Sequence, residues 1–103
     1  MKLGRVVGTV VSTRKDEKLE GLAMYLVQDL GLDLGGKDSF VVAVDSVGCG
    51  VGEVVLYASG SSARQTIQTD KKPCDATIMA IVDSLDTQDR GRIYEKNPAL
   101  GEG

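Results

Sequence analysis

Histidine and tryptophan are absent from this chain. Without histidine, neither a Ser-His-Asp nor a Cys-His nucleophile can be built within one chain. Histidine-containing zinc sites are excluded for the same reason. Cysteine occurs only at Cys49 and Cys74, and the two form no Cys-x-x-Cys pair. Their separation carries no ligand signature, so no metal is expected, and both are expected to be free thiols in a cytosolic chain. One Phe and three Tyr make up the aromatics. Glycosidases need a cleft lined by aromatics, so the scattered carboxylates Asp45, Glu53, Asp75, Asp83 and Asp86 read as surface charges or turn caps, although spacing alone leaves a carboxylate pair open. No stretch approaches the ~20 consecutive apolar residues of a membrane span. The N-terminal MKLGRVVGTVV lacks a long apolar region and a small-residue cleavage site, so it reads as a strand and not a secretory leader. A cytosolic location with no membrane partner follows. Positive charge is also short: the net charge is −3 and the pI about 4.8. Nucleic-acid binders carry a basic face, so no nucleic-acid partner is expected.

What remains is a chain of 103 residues, room for one domain and one core. At this size folding buries roughly 65% of the unfolded surface. Thirteen Gly and two Pro point to many turns without a disordered linker. The core must be made of Val, Leu, Ile and Ala.

Residues 2–11 hold Val6, Val7, Val10 and Val11. β-branched residues crowd a helix and suit a pleated sheet, so the segment is read as a strand. The charged run 12–19 reads as a solvated loop or turn. Residues 22–28 are apolar, and their shortness between Gly21 and Gly31 favours strand over helix. Residues 33–38 read as a turn in which the paired Gly35 and Gly36 supply positive φ. Strands follow at 39–44 and 53–58. Ser61 or Ser62 can cap a short, mostly exposed helix carrying Ala63 and Ile67 on one stripe. Residues 69–73 break that helix. Residues 76–82 are nearly continuous apolar sequence, as in a strand buried on both faces. Residues 91–94 are expected to add an edge strand. The fold class is therefore mostly β: a small five-stranded β-barrel with one short helix between strands four and five, in a single domain over 1–96, followed by a loose tail at 97–103. Such a barrel suggests an oligonucleotide-binding (OB) fold, but single-strand binding needs a basic groove and stacking aromatics that are missing here.

The Gly-dense segment Gly48-Cys49-Gly50-Val51-Gly52 invites a phosphate-loop reading. Phosphate loops lead into a helix, whereas Gly52 leads into Glu53 and then a strand, and the acidic side chain repels phosphate. No cofactor is expected. The loop Gly48, Cys49, Gly50, Gly52 and Glu53 is instead a candidate assembly or pore loop. Two explanations of its glycines stand side by side: crowding of several copies at a symmetry axis, or a tight turn within one subunit. Ser61, Ser62 and Arg64 are candidate subunit contacts. Arg64, at the front of a short helix, either has a carboxylate partner or is solvated.

Particular segments resemble the EutN/CcmL family of microcompartment vertex proteins. The opening from Met1 to Thr13 (MKLGRVVGTVVST) is similar to the family's start. Residues 44–56 (VDSVGCGVGEVVL) resemble its central signature, and 59–65 (SGSSARQ) the segment that follows. Pro73-Cys74-Asp75-Ala76 and Ile81-Val82-Asp83 match its last strand. These matches run in the same order over about residues 1–85. The resemblance implies a barrel related to the OB fold and a non-enzymatic structural role. It further implies a homopentamer capping the vertices of a shell otherwise made of hexameric shell proteins, inside the cytoplasm. The chain departs from the family's pattern in two places: Cys49 stands where Ala is usual, and the tail after Lys96 aligns with nothing. A binding module for a nucleic acid or small anion is the alternative from another class, and an enzyme a third.

Overall fold

The computed structural model describes residues 1–11, 22–59 and 76–96. The expected helix between strands four and five, Ser61, Ser62, Arg64 and Cys74, and the tail from residue 97 lie outside the described residues.

Five strands form a closed barrel: β1 (Lys2–Val10), β2 (Met24–Leu30), β3 (Gly36–Asp45), β4 (Val54–Ser59) and β5 (Ala76–Ile81). Their order around the barrel is β1-β2-β3-β5-β4. β1 closes it by pairing antiparallel with β2 on one edge and with β4 on the other. One contact is parallel, β3 with β5, where Val44 meets Thr77 and Asp45 meets Ile78. This order, with its single parallel seam, is that of the OB fold, and closure leaves no barrel strand with a free edge.

Alternation separates inside from outside along β1, whereas Ala43–Val44, Val54–Val55 and Ala76–Ile78 are buried at successive positions. Val6, Val27, Ala43, Val55, Tyr57, Ala76 and Ile78 are buried in one cluster, with Tyr25, Val41 and Ile81 packed against it. Val6, Val27, Val54, Val55 and Ile78 are fully buried. Each such side chain contributes roughly 1.5–3 kcal/mol from apolar burial. Short branched residues fill most of this narrow interior, with the ring of Tyr57 among them.

The five expected strands are all present, with three differences in detail. β3 begins at Gly36 and not at Ser39, because Gly36 still pairs with Leu30. In the turn before it, the positive φ falls on Leu34 (66°) and not on Gly35 or Gly36. Asp33 organises that turn by accepting the Gly35 amide, while Gly31 and Gly35 bond through their backbones. β5 is buried over Ala76–Ile78 but only half-buried over Met79–Ile81. That stretch stays paired with β4, Ala80 with Leu56 and Ile81 with Val55.

The expected edge strand near residue 91 is part of a separate two-stranded sheet. β6 (Ser84–Thr87) pairs antiparallel with β7 (Gly91–Glu95). β6 is short and polar (SLDT) and carries no strand signature, so only its partner was legible.

Candidate functional site

The glycine loop joins β3 to β4 and is held from four directions. Asp45, the last residue of β3, turns its carboxylate back over the loop. It accepts the amides of Val47 (2.9 Å), Gly48 (3.0 Å) and Cys49 (3.2 Å). A carboxylate gathering successive amides in this way is an Asx-type turn, in which the side chain does the work of a backbone turn. Tyr25 of β2 donates its hydroxyl to the Cys49 carbonyl at 3.1 Å. Glu53 accepts the Gly50 amide at 2.6 Å with Oε1 and pairs with the Lys96 ammonium at 2.6 Å through Oε2. From β1, Val6 accepts the Gly52 amide at 2.7 Å, and Arg5 donates to the Gly52 carbonyl at 3.1 Å.

Gly48 and Gly52 have φ of +81° and +96°. A Cβ at either would meet open space, so the requirement for glycine there is conformational and arises within one subunit. Gly50 differs. Its φ is not positive, and a Cβ would make only ordinary contact with Glu53 Oε1 at 3.7 Å. Nothing within the described subunit demands glycine at that position. The turn explanation therefore accounts for Gly48 and Gly52 and does not account for Gly50.

Cys49 is a free thiol and is buried, directed into the core cluster. Burial pushes the thiol up to about 12, helped by the nearby Asp45 and Glu53 carboxylates. The group is protonated and inert at neutral pH, a small apolar side chain in function. The Glu53 carboxyl lies below its ordinary range because it bonds Lys96 and the Gly50 amide. Of the sequence candidates, Gly48, Cys49, Gly50, Gly52 and Glu53 therefore form one braced loop. Ser61, Ser62 and Arg64 are outside the described residues.

Sequence reading missed three of the braces, Arg5, Tyr25 and Lys96, which carried no assignment. Asp45, read as a surface charge or turn cap, is a turn cap. For Asp45 there was a signal: an Asp two residues before Val47 and three before Gly48 is a frequent Asx-turn pattern. The other three act across 24 to 47 residues of chain or through the late hairpin, and local pattern cannot reveal that.

Among the described residues no cluster of His, Cys, Asp and Glu could hold a metal ion. A cleft of about 280 Å³ lies at the far end of the barrel, lined by Lys2, Asp29, Leu30, Leu32 and Lys37 among others. Asp29 there is occupied by hydrogen bonds from Ser39 and Tyr57. The geometry is that of a rigid structural loop on a closed barrel.

Comparison with known proteins agrees. The family model described as "Ethanolamine utilisation protein EutN/carboxysome" matches residues 1–83. The chain belongs to the EutN/CcmL family. It is 46% identical over 87 residues to the bacterial microcompartment shell vertex protein GrpN of Rhodospirillum rubrum, covering 84% of this chain and 98% of that one. It is 42% identical to the carboxysome shell vertex protein CcmL of Thermosynechococcus vestitus, covering 93% and 96%. Among solved EutN/CcmL structures, CcmL of Gloeobacter violaceus superposes with a TM-score of 0.87 at 37% identity, covering 94% of this chain and 99% of that one. The pentameric microcompartment shell protein GrpN of Rhodospirillum rubrum gives 0.77 at 45% identity, covering 84% and 99%.

Proposed function

We propose that this chain is a structural shell protein that closes as a homopentamer and caps the vertices of a bacterial microcompartment in the cytoplasm. The observation that carries the reading is agreement along nearly the whole chain, in sequence and in barrel geometry, with proteins described as shell vertex proteins. The role is structural and not catalytic. Its partners are four further copies of itself and, beyond the ring, hexameric shell proteins.

Physical reasoning supports the assignment. A flat lattice of hexamers cannot close into a polyhedron, so its corners need units of lower symmetry. A five-fold ring is built from a heterologous contact, one patch meeting a different patch on the neighbour, which closes by rotation. Every copy must therefore present the same loop geometry, and the Gly48–Glu53 loop is braced enough to do so. Our reading puts this loop near the five-fold axis; the support is Gly50, for whose glycine one subunit gives no reason and crowding between copies would. We propose Ser61, Ser62 and Arg64 as candidate contacts between subunits.

Native mass spectrometry of the isolated protein tests the assignment. A mass of five chains is expected, and a hexamer or a persistent monomer overturns it. Adding the pentamer to hexameric shell protein should convert open sheets or tubes into closed particles under the electron microscope.

A further inference from the structure

The segment from Gly50 to Glu53 is a turn closed twice. The Glu53 amide donates to the Gly50 carbonyl at 3.2 Å, the bond of a β-turn. Gly52 stands third in that turn with φ +96°, the left-handed conformation that a type II turn needs there. The Glu53 side chain then reaches back, and its Oε1 accepts the Gly50 amide at 2.6 Å. This second closure depends on where a side chain points. The Gly52 amide is fastened elsewhere, to the Val6 carbonyl at 2.7 Å, and needs nothing from the Glu53 carboxylate.

That carboxylate has a reason to leave. The Glu53 side chain is only 22% exposed, and the charge of Asp45 acts against its own. A carboxylate in that setting is relieved by taking up a proton or by turning to water. Arg5, the cation on neighbouring β1, is engaged with the Gly52 carbonyl. The countercharge comes from Lys96, 2.6 Å from Glu53 Oε2.

Lys96 follows directly on β7, and its amide closes the base of the hairpin on the Asp83 carbonyl at 2.8 Å. Next to that base the Val82 amide bonds the Val54 carbonyl at 2.8 Å, one residue along from Glu53. The hairpin therefore sets where the ammonium lies. Among the described residues its other ion pairs, Arg92 with Asp86 and with Glu95, stay inside it.

We propose that the β6–β7 hairpin is a strap on the glycine loop: docked, it holds Lys96 so that the Glu53 carboxylate stays over the Gly50 amide, and lifted, it lets Glu53 turn to water and opens the side-chain closure of the turn. The hairpin is the part that moves. The barrel closes without it, and a two-stranded sheet by itself is barely stable in water. The loop's other ties come from the barrel and stay: Asp45 on the amides of Val47, Gly48 and Cys49, and Tyr25 on the Cys49 carbonyl. Release is thereby confined to residues 50–53, where Val51 at the tip is 58% exposed. The coupling is reciprocal, so losing the Glu53 carboxylate loosens the hairpin in turn. The device lies within one subunit and does not depend on how many copies assemble.

Hydrogen exchange read at single amides of the native assembly tests the strap. In Lys96→Met the Gly50 amide should exchange roughly tenfold or more faster than in the parent, as loss of a bond to a charged group implies, while the Gly52 amide keeps the parent's rate. Lys96→Arg, which keeps the charge, should keep the parent's rate at Gly50. Glu53→Ala should release Gly50 fully and also speed exchange at the Lys96 amide, which a role confined to the loop would not do. Parent-like protection of Gly50 in Lys96→Met overturns the strap. So does equal loosening of Gly50 and Gly52, which marks general destabilisation, and so does a loss in Lys96→Arg as large as that in Lys96→Met.

Discussion

The Lys96 ammonium lies 2.6 Å from Glu53 Oε2, while the other oxygen of the same carboxylate holds the Gly50 amide. A single side chain thus fastens the end of the hairpin to the glycine loop. The hairpin and the glycine loop are thereby joined through one carboxylate.

That linkage is sensitive to acid. The Glu53 carboxyl is depressed below its ordinary 4.5, chiefly by its bond to Lys96 and then by the Gly50 amide. A carboxyl depressed in the folded state binds protons more readily when unfolded. Its stabilisation is therefore present above the unfolded value and lost as pH falls through the folded one. Thermal unfolding should be flat in pH above about 5 and decline below about 4, and Glu53→Gln should flatten part of the decline. A Glu53→Gln protein with the parent's full acid decline contradicts the linkage.

The loop glycines should separate into two classes. Gly48 and Gly52 hold left-handed backbone in open space, so Gly48→Ala and Gly52→Ala should each cost roughly 1–2 kcal/mol through strain alone. Gly50→Ala should stay within about 0.5 kcal/mol of the parent in subunit stability. Gly50→Val should then damage assembly while leaving the fold intact, if the loop meets its copies at the axis. Chemical denaturation and size-exclusion chromatography of the four variants read these outcomes. A Gly50→Val protein that assembles and melts as the parent does removes the axial role of the loop.

Tyr57 on β4 donates its hydroxyl to Asp29 on β2, although those strands do not pair, and Ser39 donates to the other carboxylate oxygen. The Asp29 carboxyl is lowered from its ordinary 3.8, first by Ser39 and then by Tyr57. Tyr57→Phe should raise that carboxyl back toward its ordinary range in a carbon-detected titration and cost roughly 1–2 kcal/mol, as removal of a hydrogen bond to a charged group does. An unchanged Asp29 titration in the variant shows that the bond contributes nothing in solution.

Cys49 should resist thiol reagents in the folded protein at pH 8, with its thiol raised to about 12, and react at once on unfolding. Cys49→Ala should cost about 1 kcal/mol, because it leaves a small void in the core. Unfolded protein without reductant should titrate Cys49 and Cys74 as two free thiols. Rapid modification of Cys49 before unfolding contradicts its place in the core.

The sequence by itself determined the number and position of the barrel strands. Val6, Val10, Val41, Val42, Val54, Val55 and Ile78 stand in runs whose branched side chains favour a pleated sheet, and that preference is local. It also marked the glycine loop, since nothing else in the chain is so dense in glycine. The family was legible in ordered segments from Met1 to Asp83. Only the tertiary structure decided the closing of the barrel by β1 against β4, the parallel seam between β3 and β5, and the pairing of the polar Ser84–Thr87 into a separate hairpin. It alone turned Asp29 and Tyr57 from unremarkable residues into braces. The reason is range. A strand's pattern of alternation is set by its own residues and repeats every second one. Which strands meet, and which carboxylate reaches which amide, depends on residues far apart in the chain that come together only after the barrel has closed.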